Sequence, residues 1–204
     1  MLNTLRCKVS PEWFAIMHSL LYPGVLGSLI YALPDNLVSK RIELSNDQLF
    51  VAIAFLLLFT IDYAYSITDS SKAAYSRGTF IADLLIVFFL FVVGQKALGT
   101  KLFESIEPAF LMVAAKLCAV FWEQVRNQDA AAGAGKGLSY ESGAEAKTDW
   151  ACVVVYLVIG GISLLKPDYS KALLGVALLL DAASYEIYKR LPRDPPVATR
   201  PPSA

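Results

Sequence analysis

The chain has 204 residues, of which 56% are hydrophobic and only 18% charged, with a mean hydropathy of +0.51. Soluble domains carry roughly 25% charged residues. Here the apolar residues also fall in long blocks, which excludes an ordinary soluble domain and indicates an integral membrane protein. Eighteen basic residues balance eighteen acidic ones, so the chain is not built to neutralise phosphates, and nucleic acid is not an expected partner.

Apolar windows of about 17 to 25 residues give six candidate spans. The first, Trp13 to Leu33, follows Arg6 and Lys8 and is too long, with no small-residue cleavage site, to be a removable signal segment. It carries His18, the sole histidine, and Pro23 with Gly24, which are expected to kink or loosen the helix. A histidine beside a kink suits a pH-sensing gate, although a packed histidine bonded to a neighbouring backbone is the plainer reading. The second span, Gln48 to Ile67, carries Asp62. Tyr63, Tyr65 and Tyr75 after it suit an interfacial aromatic girdle.

The third span, Thr79 to Leu98, carries Asp83 close to its start, where the helix dipole and headgroup water favour a carboxylate. The fourth, Pro108 to Val125, carries Lys116 near its middle and Glu123 near its end, and could instead lie in the interface. The fifth runs from Asp149 to Leu165 and the sixth from Lys171 to Tyr188, with Asp181 set among Ala, Leu and Gly. A carboxylate at that depth is costly and needs a partner, a proton or a role. Ser184 and Tyr185, three and four residues on, share its face and are expected to hydrogen-bond it.

Loop charges favour six crossings over five, since Lys and Arg near span ends stay cytoplasmic. Six spans put Arg6, Lys8, Lys72, Arg77, Arg126, Lys136, Lys147, Lys189, Arg190, Arg193 and Arg200 on one side, eleven against six on the other. Both termini are then cytoplasmic. The expected fold is an all-α polytopic membrane helix bundle over residues 1–190, its six transmembrane helices arranged as three helical hairpins. Segment 127–148 is expected to be a mobile cytoplasmic loop and 191–204 a disordered Pro-rich cytoplasmic tail. The turns Leu33-Pro34-Asp35 and Lys166-Pro167-Asp168 hint weakly at a repeated hairpin. Gly133-Ala134-Gly135-Lys136-Gly137 is no phosphate loop, because the first Gly, the Ser or Thr after Lys and a preceding strand are all missing.

Cys7, Cys118 and Cys152 have no paired spacing, so neither a disulfide framework nor a metal centre is expected, and no cofactor is implied. No sequence motif for a nucleophile or a metalloprotease is present. The chain is therefore expected not to be an enzyme, with a membrane enzyme relying on carboxylates alone as the residual case. The ion-pathway candidates are Asp181, Asp62, Lys116, Glu123, Asp83 and His18, and Lys116 is expected to pair with Asp181 or Asp62. The expected function is a small transporter or channel component moving a cation, proton or small polar solute past these groups. The alternative is a non-catalytic membrane partner, such as a sensor, immunity or assembly subunit, acting through helix contacts and its tail. Besides the lipid bilayer, a homo-oligomer or membrane complex is expected, most simply in a bacterial inner membrane.

Overall fold

The structure is a computed structural model that describes residues 11–39, 45–70, 76–99, 105–131 and 144–190. Six helices account for nearly all of these residues, and no strand is formed among them. We label them α1 (Pro11–Ile16, Met17–Leu21 and Tyr22–Ser39, continuous), α2 (Asn46–Ser70), α3 (Arg77–Ala97), α4 (Pro108–Ala131), α5 (Ala144–Leu165) and α6 (Pro167–Arg190). Much of the expected mobile loop and the whole of the expected tail, 132–143 and 191–204, lie outside the described residues.

The helix starts follow from local chemistry. Ser45 accepts from the Gln48 amide at 3.3 Å while Gln48 Oε1 accepts from the Ser45 amide at 3.0 Å. Ser76 and Thr79 make the same reciprocal pair at the start of α3, at 3.3 and 2.9 Å. Each pair satisfies two amides that a helix N-terminus leaves open. Pro108 and Pro167 open α4 and α6, where a missing N–H costs nothing. After α3 the chain turns through Gly99, at φ 81°, a left-handed conformation that glycine adopts without a steric penalty.

Five helices contain windows long and apolar enough to cross a membrane: Phe14–Ala32, Asn46–Ala64, Arg77–Ala97, Pro108–Val125 and Lys147–Leu165. The chain is thus a helical membrane bundle. The fourth segment, which its lysine made doubtful, is among these five. The helix that departs from the apolar pattern is α6, because Lys171, Asp181 and Glu186 are spread along its 24 residues. It is nonetheless an integral wall of the bundle. Packing is most extensive between α3 and α4, α2 and α6, α4 and α5, and α5 and α6, and α2 also touches α3. These contacts close a ring in the order α2, α3, α4, α5, α6. Helix α1 packs on the outside of the ring, against α2 and α3.

Close approach in the ring depends on small residues, as expected where helices are driven together by packing alone. A Cβ on Gly94 would meet Phe55 at 2.7 Å, and one on Gly160 would meet Phe110 at 2.6 Å. Inside the ring, Phe55, Phe59, Val93, Met112 and Leu178 are at most 1% exposed. This apolar floor fills the end of the bundle where α2 and α4 begin. Many large apolar side chains, among them Ile53, Val154, Val158 and Leu180, instead face outward, as a lipid-facing surface requires.

Two features of α1 differ from the sequence expectation. The helix runs through Pro34 to Ser39 rather than ending at Leu33, whereas Pro167 does begin a helix. The two Pro–Asp pairs therefore play different parts, and the hint of a repeated hairpin fails. The loosening expected at Pro23 is a π-helical turn, Met17–Leu21, placed just before it. Proline has no N–H and its ring crowds the carbonyl four residues back, so the helix widens by one residue ahead of it.

Candidate functional site: a buried lysine with surplus carboxylates

The ring order places one ionisable face of α4 between α5 and α6. Lys116 lies there at 5% exposure, and Asp181 beside it at 3%. The Lys116 ammonium is 2.7 Å from Asp181 Oδ1 and 3.1 Å from Asp149 Oδ1. The expected lysine partner on α6 is present, but the second one is Asp149 on α5, which the sequence had marked only as the start of a span. Asp181 is held further by α5: the Tyr156 hydroxyl donates to its Oδ2 at 2.9 Å, and the Cys152 thiol lies 3.7 Å from its Oδ1. Asp149, Cys152 and Tyr156 recur at spacings of three and four, so one stripe of α5 supplies all three.

Asp62 is connected to this group through Tyr185 rather than through Lys116. The Tyr185 hydroxyl donates to Asp62 Oδ1 at 2.9 Å, and the Lys116 ammonium sits 5.2 Å from the centroid of the same ring. That arrangement corrects the expectation that Ser184 and Tyr185 serve the Asp181 carboxylate. Tyr185 belongs to Asp62, and Ser184 donates to the Asp181 backbone carbonyl at 2.6 Å, the local back-bonding typical of helical serine. The second oxygen of Asp62, Oδ2, is shielded from solvent and has no hydrogen-bond partner among the described residues.

Helix α1 adds a second polar contact, one turn along α2 from Asp62. The π turn directs the Tyr22 amide to the Met17 carbonyl, and the next residue, Pro23, has no amide to give. The His18 carbonyl is left over by both registers and accepts instead from the Tyr63 hydroxyl at 2.9 Å. His18 Nδ1 lies 3.2 Å from Ser66 Oγ, and Ser66 also bonds the Tyr22 side chain. The imidazole is 4.4 Å from Phe14 and 5.6 Å from Tyr22 between ring centroids, and Tyr22 stacks on Tyr63 at 5.5 Å. Tyr63 is therefore an inward anchor for α1 rather than part of an interfacial girdle. The side chain of Tyr65 and all of Tyr75 lie outside the described residues.

The remaining candidates are placed apart. Asp83, expected to reach headgroup water, is 5% exposed and six residues into α3, on the side of the ring covered by α1. Glu123 is half-buried on α4, two turns beyond Lys116. The structure thus joins Lys116, Asp149, Asp181 and Asp62 through α2, α4, α5 and α6, and places His18 at the α1–α2 seam beside it. Among the described residues, no group of three or more His, Cys, Asp or Glu is arranged to hold a metal ion.

Comparisons with protein-family models, with curated proteins and with solved structures find no match to this chain. Asp149 and Asp181 share one ammonium and Asp62 joins the same layer through Tyr185, and at close range in a low-dielectric interior unbalanced charge is expensive. Uptake of a proton or a cation would bring such a layer to balance.

Proposed function

We propose that this chain is a small integral membrane transporter or channel component that moves a proton, a cation or a small polar solute past the Lys116 layer. The observation that carries this reading is the surplus of carboxylates over ammonium in a buried layer assembled from four helices. A layer whose only task was to hold helices together would be better served by apolar packing, since a buried ion pair is on average no more stabilising than its apolar replacement. Asp181, Asp62 and Lys116 are the groups the cargo would meet, with His18 and Ser66 one turn nearer the end of the bundle where α2 stops and α3 starts. The excess of Lys and Arg on that side supports cytoplasmic termini, and a bacterial inner membrane is the setting this reading assumes. A chain of this length building a path is served by a homo-oligomer or a larger membrane complex, and no chemical step is required of it.

A second reading has one observation of its own. The apolar floor of Phe55, Phe59, Val93, Met112 and Leu178 closes the bundle beyond the charged layer, which suits a non-catalytic membrane partner with access from one side only. Flux separates the two. In vesicles reconstituted with purified protein, transport predicts a flux that Asp181→Asn abolishes while yield and monodispersity stay normal. If the wild type carries nothing and Asp181→Asn lowers yield instead, the partner reading replaces it.

A further inference from the structure

The three carboxylates of the layer are not equivalent. Asp149 and Asp181 each touch the Lys116 ammonium, at 3.1 and 2.7 Å, and Asp181 has the Tyr156 hydroxyl besides. Among the described residues, Asp62 has the Tyr185 hydroxyl alone, on Oδ1, while its Oδ2 is buried without a hydrogen-bond partner. A bare carboxylate oxygen in that position is the least satisfied polar atom of the layer. Its lone pairs are open to a proton or a cation.

A metal cation fits poorly. A hard cation stripped of water takes about six oxygen ligands, and the described side chains offer Asp62 a single hydroxyl. Helix α2 is regular from Asn46 to Ser70, so the carbonyls around Asp62 are committed to its own ladder. Among the described residues, the one carbonyl that the π turn of α1 releases, that of His18, already accepts from Tyr63, whereas helical membrane proteins usually build a metal-ion cage from several carbonyls of an unwound segment. A proton needs none of this, since it requires one lone pair and it cancels one of the surplus charges.

On the reading of the layer as a transport centre, we infer that the cargo is a proton and that the Asp62 carboxyl group is its carrier, exchanging it through Oδ2. The groups acting on Asp62 are Tyr22 on α1, Lys116 on α4, Asp149 on α5, and Tyr185 and Asp181 on α6, while Asp83 on α3 acts on Tyr22. Lys116 is occupied by its two carboxylates and acts on Asp62 at a distance. When the proton leaves Oδ2, the carboxylate keeps the Tyr185 hydrogen bond, and no covalent bond other than O–H is broken. Ser66, four residues on along the same face of α2, and His18 Nδ1 at 3.2 Å from it provide the hydroxyl and imidazole that the proton meets next.

The test combines infrared spectroscopy with flux on the intact chain. The carbonyl-stretch band of a neutral carboxylic acid is recorded for purified wild type, Asp62→Asn and Asp62→Glu near neutral pH. The same proteins are reconstituted into vesicles, and proton, sodium and potassium fluxes are followed separately. The inference expects a neutral-acid band that Asp62→Asn removes and Asp62→Glu retains, with proton flux falling to the protein-free baseline only in Asp62→Asn. A spectrum unchanged by Asp62→Asn overturns it. Flux of sodium or potassium without protons overturns it while leaving transport standing, and absence of every flux overturns the transport reading together with it. Asp62→Glu guards against a folding artefact, because it keeps the carboxyl group in a protein of nearly the same shape.

Discussion

Replacing Lys116 by Met removes the one ammonium that the layer holds among the described residues while keeping most of the side-chain volume. At an effective dielectric constant of about 20, Coulomb attraction is worth roughly 6 kcal/mol at the distance of Asp181 and about 5 at that of Asp149. Desolvation of the three charges offsets most of this, so the intact group is close to neutral for stability. The variant loses the attraction and keeps the desolvated acids. Asp181, with a side chain only 2% exposed, is left with the Tyr156 hydroxyl and a long thiol contact. Breaking a buried pair in this way costs about 3–5 kcal/mol, and at about 2–4 °C per kcal/mol for a chain of this size the midpoint should fall by roughly 6–20 °C. Thermal unfolding in detergent, followed by size-exclusion or intrinsic fluorescence, reads this directly. Asp149→Asn should cost far less, because Lys116 keeps its shorter partner and Asp149 is itself 16% exposed. The double variant Lys116→Met, Asp181→Asn should recover much of the loss, with a coupling of about 0.5–3 kcal/mol. A Lys116→Met protein no less stable than Asp149→Asn would refute the idea that this lysine neutralises Asp181.

Tyr156→Phe deletes the hydroxyl that donates to Asp181 Oδ2 and leaves that oxygen bare, which should cost about 1.5–3 kcal/mol as a hydrogen bond to a charged group; denaturant or thermal melts of the variant check it. Gly94→Ala drives a methyl group into Phe55 and should cost about 1–3 kcal/mol by overpacking, whereas Gly24→Ala, where a Cβ meets nothing within 4 Å, should be close to neutral; the same melts compare the two. Pro23→Ala restores an amide to α1, so the π turn should relax toward α-helix and the Tyr63 hydroxyl should lose its claim on the His18 carbonyl. Hydrogen–deuterium exchange should then show stronger protection over Met17–Leu21 in the variant, and unchanged exchange there would contradict the origin assigned to the turn.

The bundle itself was plain in the sequence, because spans of apolar residues, capping residues such as Ser76 with Thr79, and prolines at Pro108 and Pro167 are all local signals. The doubt attached to the wrong helix. A single lysine made the fourth span look interfacial, yet Lys116 is paired and buried, whereas α6 carries its charges spread along its length. The site was legible only in part. Lys116 and Asp181 stand out against apolar neighbours, and their pairing follows from the cost of leaving either alone. Asp149 did not stand out, since a carboxylate at a span end has an ordinary explanation in headgroup water. Its one local signal, the stripe it forms with Cys152 and Tyr156, became meaningful only with the structure, because a stripe says nothing about which helix it will face. The exchange of partners between Asp181, Asp62 and Tyr185 depends on how closely α6 lies against α2, a tertiary distance that glycine and alanine permit without specifying. The π turn was foreshadowed by Pro23, but its consequence for the His18 carbonyl needed the position of Tyr63, forty-five residues away.

The central claim is that the carboxylate surplus around Lys116 serves movement of charge across the membrane. It is tested most directly by imposing a pH gradient and an electrical potential on vesicles containing the purified wild-type chain and recording internal pH. The account predicts dissipation of the gradient well above that of protein-free vesicles, abolished by Asp62→Asn and by Asp181→Asn in correctly folded protein. Equal rates with and without the wild-type chain, under either polarity of the potential, would contradict it.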